Sequence, residues 1–361
     1  MTLILGIESS CDETAAAVVE NGRLVRSNVI ASQHELHRKY HGVVPEIASR
    51  AHLERLGPVV DEALKCARVR IDQIDAVAVG NRPGLIGSLI VGVSATQALA
   101  WSTGKPLIGI DHVRAHLYAA TLDDSSPRPQ APSPKPVDYP AVGLAVSGGH
   151  TSLYDVQSPT QLRLLGRTID DAVGEAYDKA AVILQLGYPG GPALDQLAPR
   201  GDPTAYPLPR SLLGASSLDF SFSGLKTALL YTVRGKPKGR GSRTTFERSA
   251  NDLTDPQRAD LAASFQAAAI DTLITKINRA IDMLSRDGQT PKSLVIGGGV
   301  SANSLLRQRA IEIGQRHGIA VHLPAMEYCL DNAAMIAGLA FEYYSQEHFD
   351  DLSLPAIATT R

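Results

Sequence analysis

His112 and His116 stand four residues apart in Pro106-Leu-Ile-Gly-Ile-Asp-His-Val-Arg-Ala-His-Leu-Tyr118, a stretch that reads as a buried strand running straight into a helix. Four residues make about one helical turn, so both imidazoles lie on one face and can reach a single metal ion. The same spacing also suits two histidines that only fill a surface or a core. A zinc peptidase would need Glu directly after the first His as its general base, and Val113 stands there instead. Asp331, in Pro324–Met335, falls where a helix begins, the end that favours a carboxylate, and offers a third ligand.

Other polar clusters sit in turns. Glu8-Ser-Ser-Cys-Asp-Glu-Thr14 separates the apolar strands Leu3–Ile7 and Ala15–Val19, and Asn21-Gly22 then signals a hairpin. Glu8, Asp12 and Glu13 can hold a polar ligand there or remain solvated turn residues. The opening pattern returns as strand Ala141–Val146, turn Ser147-Gly-Gly-His-Thr151 and strand Ser152–Val156, which suggests an internal duplication. Gly148 and Gly149 can form a nest of N–H donors. Between Ile169 and Lys179 a helix is expected, with Asp171, Glu175, Asp178 and Lys179 on one face, solvated or holding a ligand. Gly187–Pro192 and Asp195 form a tight loop leading into a helix. Ser293–Ile296, Gly297-Gly-Gly-Val-Ser-Ala-Asn303 and the helix from Ser304 make a strand, glycine loop and helix on which an adenosine or phosphate can lie. The loop has neither GxGxxG nor Walker spacing. Gly80–Gly87 is a weaker loop of the same kind. The basic stretch Arg234–Arg248 is expected as a disordered loop, either solubilising or touching RNA phosphates.

The elements that must position these residues belong to a long chain. With 361 residues, 44% hydrophobic and 20% charged, it can fill two cores. The division expected is an N-terminal lobe over 1–122, an exposed Pro/Ser-rich loop over 123–139 and a C-terminal lobe over 140–361, whose last helix can pack back on the first lobe. A net charge of −2 gives no global field for a polyanion. Cys11, Cys66 and Cys329 form no CxxC pair, which fits a reducing cytoplasm. No apolar run reaches membrane-spanning length, so no membrane is expected.

Taken together and in order, Glu8–Thr14, Gly42–Arg50, His112-x-x-x-His116, Val146–His150, Asp170–Glu175, Asp219–Thr227, Gly297–Asn303 and Asp331-Asn332 resemble the bacterial tRNA N6-adenosine threonylcarbamoyltransferase family. The resemblance implies an α/β chain with the actin-like ATPase fold (ASKHA), two duplicated lobes with a central cleft. It implies transfer of threonylcarbamoyl from threonylcarbamoyl-AMP to the N6 amine of adenosine at position 37 of tRNAs reading codons that begin with A. It also implies a divalent metal on His112, His116 and Asp331, usually iron, with zinc possible. Substrate contacts would map onto Ala145, Val146, Ser147, Gly148, Gly149, Asp178, Gly191 and Asn303, and in some members onto Asp195. An inactive paralogue and a small ATPase subunit are implied partners.

The exocyclic amine of adenine is a weak nucleophile because its lone pair is delocalised, so catalysis should act on the electrophile. Donors from the Ser147–Gly149 turn can assist, and the Gly297–Gly299 loop would hold the leaving AMP. Asp12 and Glu13 are the candidates for the base. The family pattern has Glu-Gly at Arg114-Ala115, Gly at His41 and Gly at Arg82, and it has no clear counterpart of the Arg234–Arg248 stretch. Rival readings are a metalloprotease, weakened by Val113, and a kinase-like or non-catalytic nucleotide binder.

Overall fold

The computed structural model describes residues 1–40, 42–124, 136–187, 189–214, 216–239 and 245–359. Two compact units emerge. One holds residues 1–137, 157–161 and 322–361, the other 138–156 and 162–321.

The first unit starts with β1 (Leu3–Glu8), β2 (Glu13–Glu20) and β3 (Leu24–Ser32), followed by the short α1 (His34–His37) and α2 (Pro45–Ala67). Next come β4 (Ala76–Arg82), α3 (Ile86–Thr103), β5 (Leu107–Asp111), α4 (His112–Tyr118) and β6 (Asp123–Asp124). The sheet order is β5-β4-β1-β2-β3-β6, with β1 antiparallel to β2 and parallel to β4. The β2–β3 turn is the Asn21-Gly22 pair, both at positive φ (49° and 73°), as a type I′ hairpin requires. Residues 1–122 were expected to end the lobe, but β6 pairs with β3 at Leu24–Asp123, so the first residues of the expected loop belong to the sheet. Residues 125–135 of that loop, like His41, lie outside the described residues.

The second unit repeats the plan. β7 (Ala141–Val146), β8 (Thr151–Val156) and β9 (Leu162–Arg167) form an antiparallel meander, followed by α5 (Val173–Leu184), α6 (Gly190–Leu197), α7 (Ser223–Arg234) and the 32-residue α8 (Asp255–Arg286). β10 (Ser293–Gly297), α9 (Ser304–His317) and β11 (Ala320–His322) complete it, in the order β11-β10-β7-β8-β9. Each sheet therefore has a first strand antiparallel to the second and parallel to the fourth, and each has a bulge between second and third strands, at Val18/Val19 and at Leu153/Tyr154. This is the duplication that the repeated hairpins imply. α8 is delimited by a capping box, in which Gln257 N–H donates to Thr254 Oγ1 and Thr254 N–H donates to Gln257 Oε1.

The chain then returns to the first unit through α10 (Ala333–Ser345). Residues 322–361 belong to this first unit, because α10 is apolar on nearly all sides and is buried against β1, β2 and β4. Its Ala-rich sequence lets it lie close to the sheet, so close that a Cβ on Gly6 would meet Ala333 O at 2.5 Å. The period-2 alternation of the strands divides the core into two layers. Ile4, Ala15, Ala17 and Val19 face α4 and α10, whereas Leu3, Leu5, Ile7, Ala16 and Val18 face α2 and α3. Each fully buried large aliphatic side chain contributes about 1.5–3 kcal/mol. No helix among the described residues is long and apolar enough to cross a membrane.

Two local expectations are corrected. The helix expected from Ile169 starts at Val173, because Asp170 is drawn away to accept from Ser221 Oγ, Phe222 N and Ser223 Oγ (2.5, 2.8 and 2.7 Å). The described ends of the basic stretch are ordered rather than loose: Lys238 and Thr245 exchange two backbone hydrogen bonds (2.9 and 2.8 Å), and Arg234 stacks over Phe246. Residues 240–244 lie outside the described residues.

Candidate metal centre and glycine loop

β5 ends at Asp111, whose Oδ1 accepts from Val113 N and Arg114 N and so caps α4. This fixes His112 as the first helical residue and aims it, with His116 one turn later, to the same side. Both are buried, with ring centroids 4.6 Å apart. Asp331 arrives from just before α10. It does not cap that helix; Asn332 does, accepting from Met335 N at 3.0 Å, which leaves the Asp331 carboxylate free to face the histidines. Asp331 Oδ1 lies 3.5 Å from His112 Nε2 and 3.2 Å from His116 Nε2. The structure therefore brings the three expected ligands together.

Whether they suit an ion is decided by His116. Neither ring nitrogen of this buried imidazole has a hydrogen-bond partner, and its approach to Asp331 is close without being aligned as a hydrogen bond. Buried polar atoms are seldom left so. Two imidazole nitrogens and one carboxylate oxygen, with an orphaned nitrogen among them, fit a divalent metal with open positions.

His112 is oriented from behind. Its Nδ1 donates to Glu8 Oε2 at 3.0 Å, and Ser10 Oγ stands 3.2 Å from the same nitrogen. Glu8 is fully buried, and its other oxygen accepts from Ser10 N at 2.5 Å. Gly80 makes room for it, since a Cβ there would fall 2.6 Å from Glu8 Oε2. With Nδ1 donating to Glu8, Nε2 is the nitrogen left on the Asp331 side, where its lone pair would be available to an ion, the arrangement of a ligating histidine with an outer carboxylate. Burial opposes charge on His112, but Glu8 and Asp331 outweigh it and raise its pKa well above the usual value. Burial lowers that of His116. Desolvation opposes the Asp331 charge too, but His112 and His116 hold its carboxyl well below the usual range. The sequence marks Glu8 only as one acid of a polar turn. Its service to His112 becomes visible once β1, β4 and β5 are adjacent.

Asp12 and Glu13, the expected bases, lie at the start of β2. Glu13 is 8% exposed, accepts from Ser32 Oγ at 3.1 Å through Oε1, and has no partner at Oε2. Burial first, and then Asp12, push its carboxyl up to about 8. His34 Nε2 is 3.5 Å from Glu13 Oε1 and 3.8 Å from Asp12 Oδ2.

In the second unit the expected substrate residues divide into two sets. Ala145 and Val146 are buried at the end of β7, and the turn that follows is closed by Ser147 N donating to His150 O and His150 N donating to Ser147 Oγ. Gly148 and Gly149 do not take positive φ, so they make no nest of the expected kind. Their α-carbons border open space, in which a Cβ would meet nothing within 4 Å. The strained glycine is Gly298, at φ 96°, where a Cβ would lie 2.3 Å from Val146 O. The loop from Gly297 to Asn303 is thereby pressed on the end of β7. Asn303 then caps α9, accepting from Leu306 N, while its Nδ2 donates to Asp195 Oδ1 and Gln266 Oε1 (2.9 and 3.0 Å). Asp195 also accepts from Ser304 N and Oγ. Asp178, on α5, accepts from Gly190 N at 3.0 Å and so holds the start of α6, next to Gly191. Gln266 and the buried Tyr177, whose hydroxyl has no partner, join this neighbourhood without any sequence signal, since each lies inside an apolar helix pattern. The acidic stripe is mostly paired: Lys179 bridges Asp171 and Glu175, and Lys226 also holds Asp171.

A family model described as tRNA N6-adenosine threonylcarbamoyltransferase matches residues 24–338. A protein of that name from Moorella thermoacetica is 47% identical over 99% of this chain and 96% of its own length. A second, from Symbiobacterium thermophilum, is 48% identical over 98% and 95%. The chain belongs to the tRNA N6-adenosine threonylcarbamoyltransferase family. It is accordingly an enzyme, an acyltransferase. Among solved structures, HypF from T. kodakarensis is similar in fold, with a TM-score of 0.58 at 15% identity over 98% of this chain and 49% of that one. The fold is the α/β actin-like ATPase fold, and the paired sheets described above are its duplicated halves. Of the threonylcarbamoyltransferase departures, Arg82 Nε lies 4.0 Å from Asp111 Oδ2, beside the cap of α4, and Ala115 is fully buried in the core. Neither takes the place of a candidate ligand.

Proposed function

We propose that this chain transfers a threonylcarbamoyl group from threonylcarbamoyl-AMP to the N6 amine of adenosine 37 in tRNAs reading codons that begin with A, releasing AMP. The near-full-length identity to proteins named tRNA N6-adenosine threonylcarbamoyltransferase carries the reading. The grouping of His112, His116 and Asp331 supports a metal-assisted form of it.

His112, His116 and Asp331 would hold the metal, iron in our reading and zinc as the alternative. When bound, it supplies Lewis-acid polarisation of the carbamoyl carbonyl. Glu8 keeps the His112 Nε2 lone pair directed at the ligand side. The Gly297–Gly299 loop, pinned by Gly298 on Val146, receives the adenylate, with Asp195 and Asn303 fixing the start of α9 beside it. Gly148 and Gly149, whose α-carbons border open space, would admit the acyl group beside the Ser147–Gly149 turn. AMP is a good leaving group, so no strong general acid is required. At neutral pH Glu13, held up at about 8, already carries its proton, and we assign acceptance of the amine proton to Asp12. The chain would act in the cytoplasm with an inactive paralogue and a small ATPase subunit.

The test is mass analysis of tRNA nucleosides after incubation with threonylcarbamoyl-AMP and those partners. Appearance of threonylcarbamoyladenosine is expected with the wild-type chain. His116→Ala should abolish it while leaving the circular dichroism unchanged; a fully active variant refutes the metal assignment.

A further inference from the structure

We propose that Asp12, Glu13 and His34 form a second cation site, separate from the His112–His116–Asp331 centre. One ligand atom from each residue lies within 4.8 Å of those of the other two, the span that one ion can bridge. The donor set, one imidazole and two carboxylates, is that of a divalent cation of intermediate hardness such as Mn2+.

Three observations distinguish it from a cluster of solvated acids. First, the Glu13 side chain is nine-tenths buried, yet Oε2 has no partner, and it belongs to the carboxylate whose Oε1 stands 3.5 Å from His34 Nε2. A buried carboxyl oxygen without a partner is costly, and a cation meeting it would displace the proton that Glu13 otherwise holds at neutral pH. Second, Asp12 and Glu13 are adjacent, and their side chains are only 13% and 10% exposed. No lysine or arginine forms an ion pair with either among the described residues, so His34 is the one basic group within ion-pair distance of this pair. Third, the backbone places the donors reproducibly. Gln33 N–H donates to Asp12 O at 3.1 Å, and Ser32 Oγ donates to Glu13, so the end of β3 and the residue just before α1 are tied to the start of β2.

Because each residue gives one ligand atom, Asp12 keeps a second oxygen, and the proton-acceptor role proposed above is compatible with the site. The cation would also close the Glu8–Thr14 turn, from which Glu8 and Ser10 reach His112.

The experiment counts metal on the full chain after chelation and dialysis. Mn2+ alone is titrated and the free ion followed by electron paramagnetic resonance, a probe chosen because the exposed thiol of Cys66 prefers softer ions. Wild type is expected to bind two equivalents. His34→Ala, whose side chain is 41% exposed in the native chain and so replaceable without disturbing a core, should lose one. Glu13→Gln should weaken the same equivalent at least 10-fold. His112→Ala combined with His116→Ala should keep the His34-dependent equivalent, and adding His34→Ala to that pair should leave none. An equivalent lost with His34→Ala while the His112–His116 centre binds nothing would support this site and count against the metal centre of the proposed function. Wild-type stoichiometry and affinity retained in both His34→Ala and Glu13→Gln would overturn the proposal.

Discussion

Replacing Glu8 by Gln tests the logic of the metal centre at its least conspicuous member. The substitution keeps shape and removes charge. Glu8 sits between two donors: Ser10 N–H at 2.5 Å on one oxygen, and the Nδ1 of His112 at 3.0 Å on the other. An amide has one oxygen and one NH2, so it can satisfy only one of them. Facing its oxygen to Ser10 turns the NH2 on His112, which must then accept at Nδ1 and protonate Nε2, the nitrogen needed for the ion. Facing it the other way sets two donors against each other in a site with no exposure. The roof offers no relief, since Gly80 closes over Oε2. Loss of such an outer partner lowers metal affinity about 10–100-fold, or about 1.4–2.7 kcal/mol. The mismatched donor adds about 1–3 kcal/mol of destabilisation. Competition titration with a chromophoric chelator reads the first quantity, and urea denaturation of the metal-free protein reads the second. Glu8→Gln binding metal within twofold of wild type, in a protein of native circular dichroism, would refute the claim that Glu8 selects the His112 tautomer.

Two further contrasts are accessible. Gly298→Ala should destabilise the chain by more than about 2 kcal/mol through its positive φ and the clash with Val146 O, whereas Gly148→Ala, bordering open space, should leave stability within about 0.5 kcal/mol and weaken binding of threonylcarbamoyl-AMP; denaturation midpoints and calorimetric titration separate the two. Lys276, buried on α8, donates to Leu212 O and Ser217 O, and burial, aided by Arg279, pulls its pKa down to about 8 from 10.5. The folded chain then holds fewer protons than the unfolded one between those pH values, so stability should rise with pH across that window by about 3 kcal/mol relative to Lys276→Met. Parallel stability curves from urea melts at pH 7.5 and 10 would show that burial does not penalise this charge.

Much of the site could be read from residue order alone, where the relevant distances are local. His112 and His116 share a helix face because of their spacing, and the paired hairpins announce a duplicated scaffold because strand, turn and strand are contiguous. Legibility fails where the deciding partner is remote. Asp331 reads as a helix-terminal carboxylate, but Asn332 takes the cap and releases it. Asp170 reads as helical until Ser221 and Ser223, some fifty residues on, claim its carboxylate. The two glycines after Ser147 look like an anion nest, yet the positive φ belongs to Gly298, more than a hundred residues later. The basic stretch reads as disordered because its composition is polar, and backbone pairing between Lys238 and Thr245 is invisible to composition.

The order of ligands along the chain has a bearing on biogenesis. During synthesis both histidines emerge early, but the carboxylate that joins them, and the helix that fills the seat over β1, emerge only after the whole intervening unit. A nascent or truncated polypeptide would therefore display an open apolar trough and an incomplete chelate. Ion capture should accordingly report on completed translation, and C-terminal truncation before Asp331 should yield a species recognised by chaperones rather than a weakened enzyme.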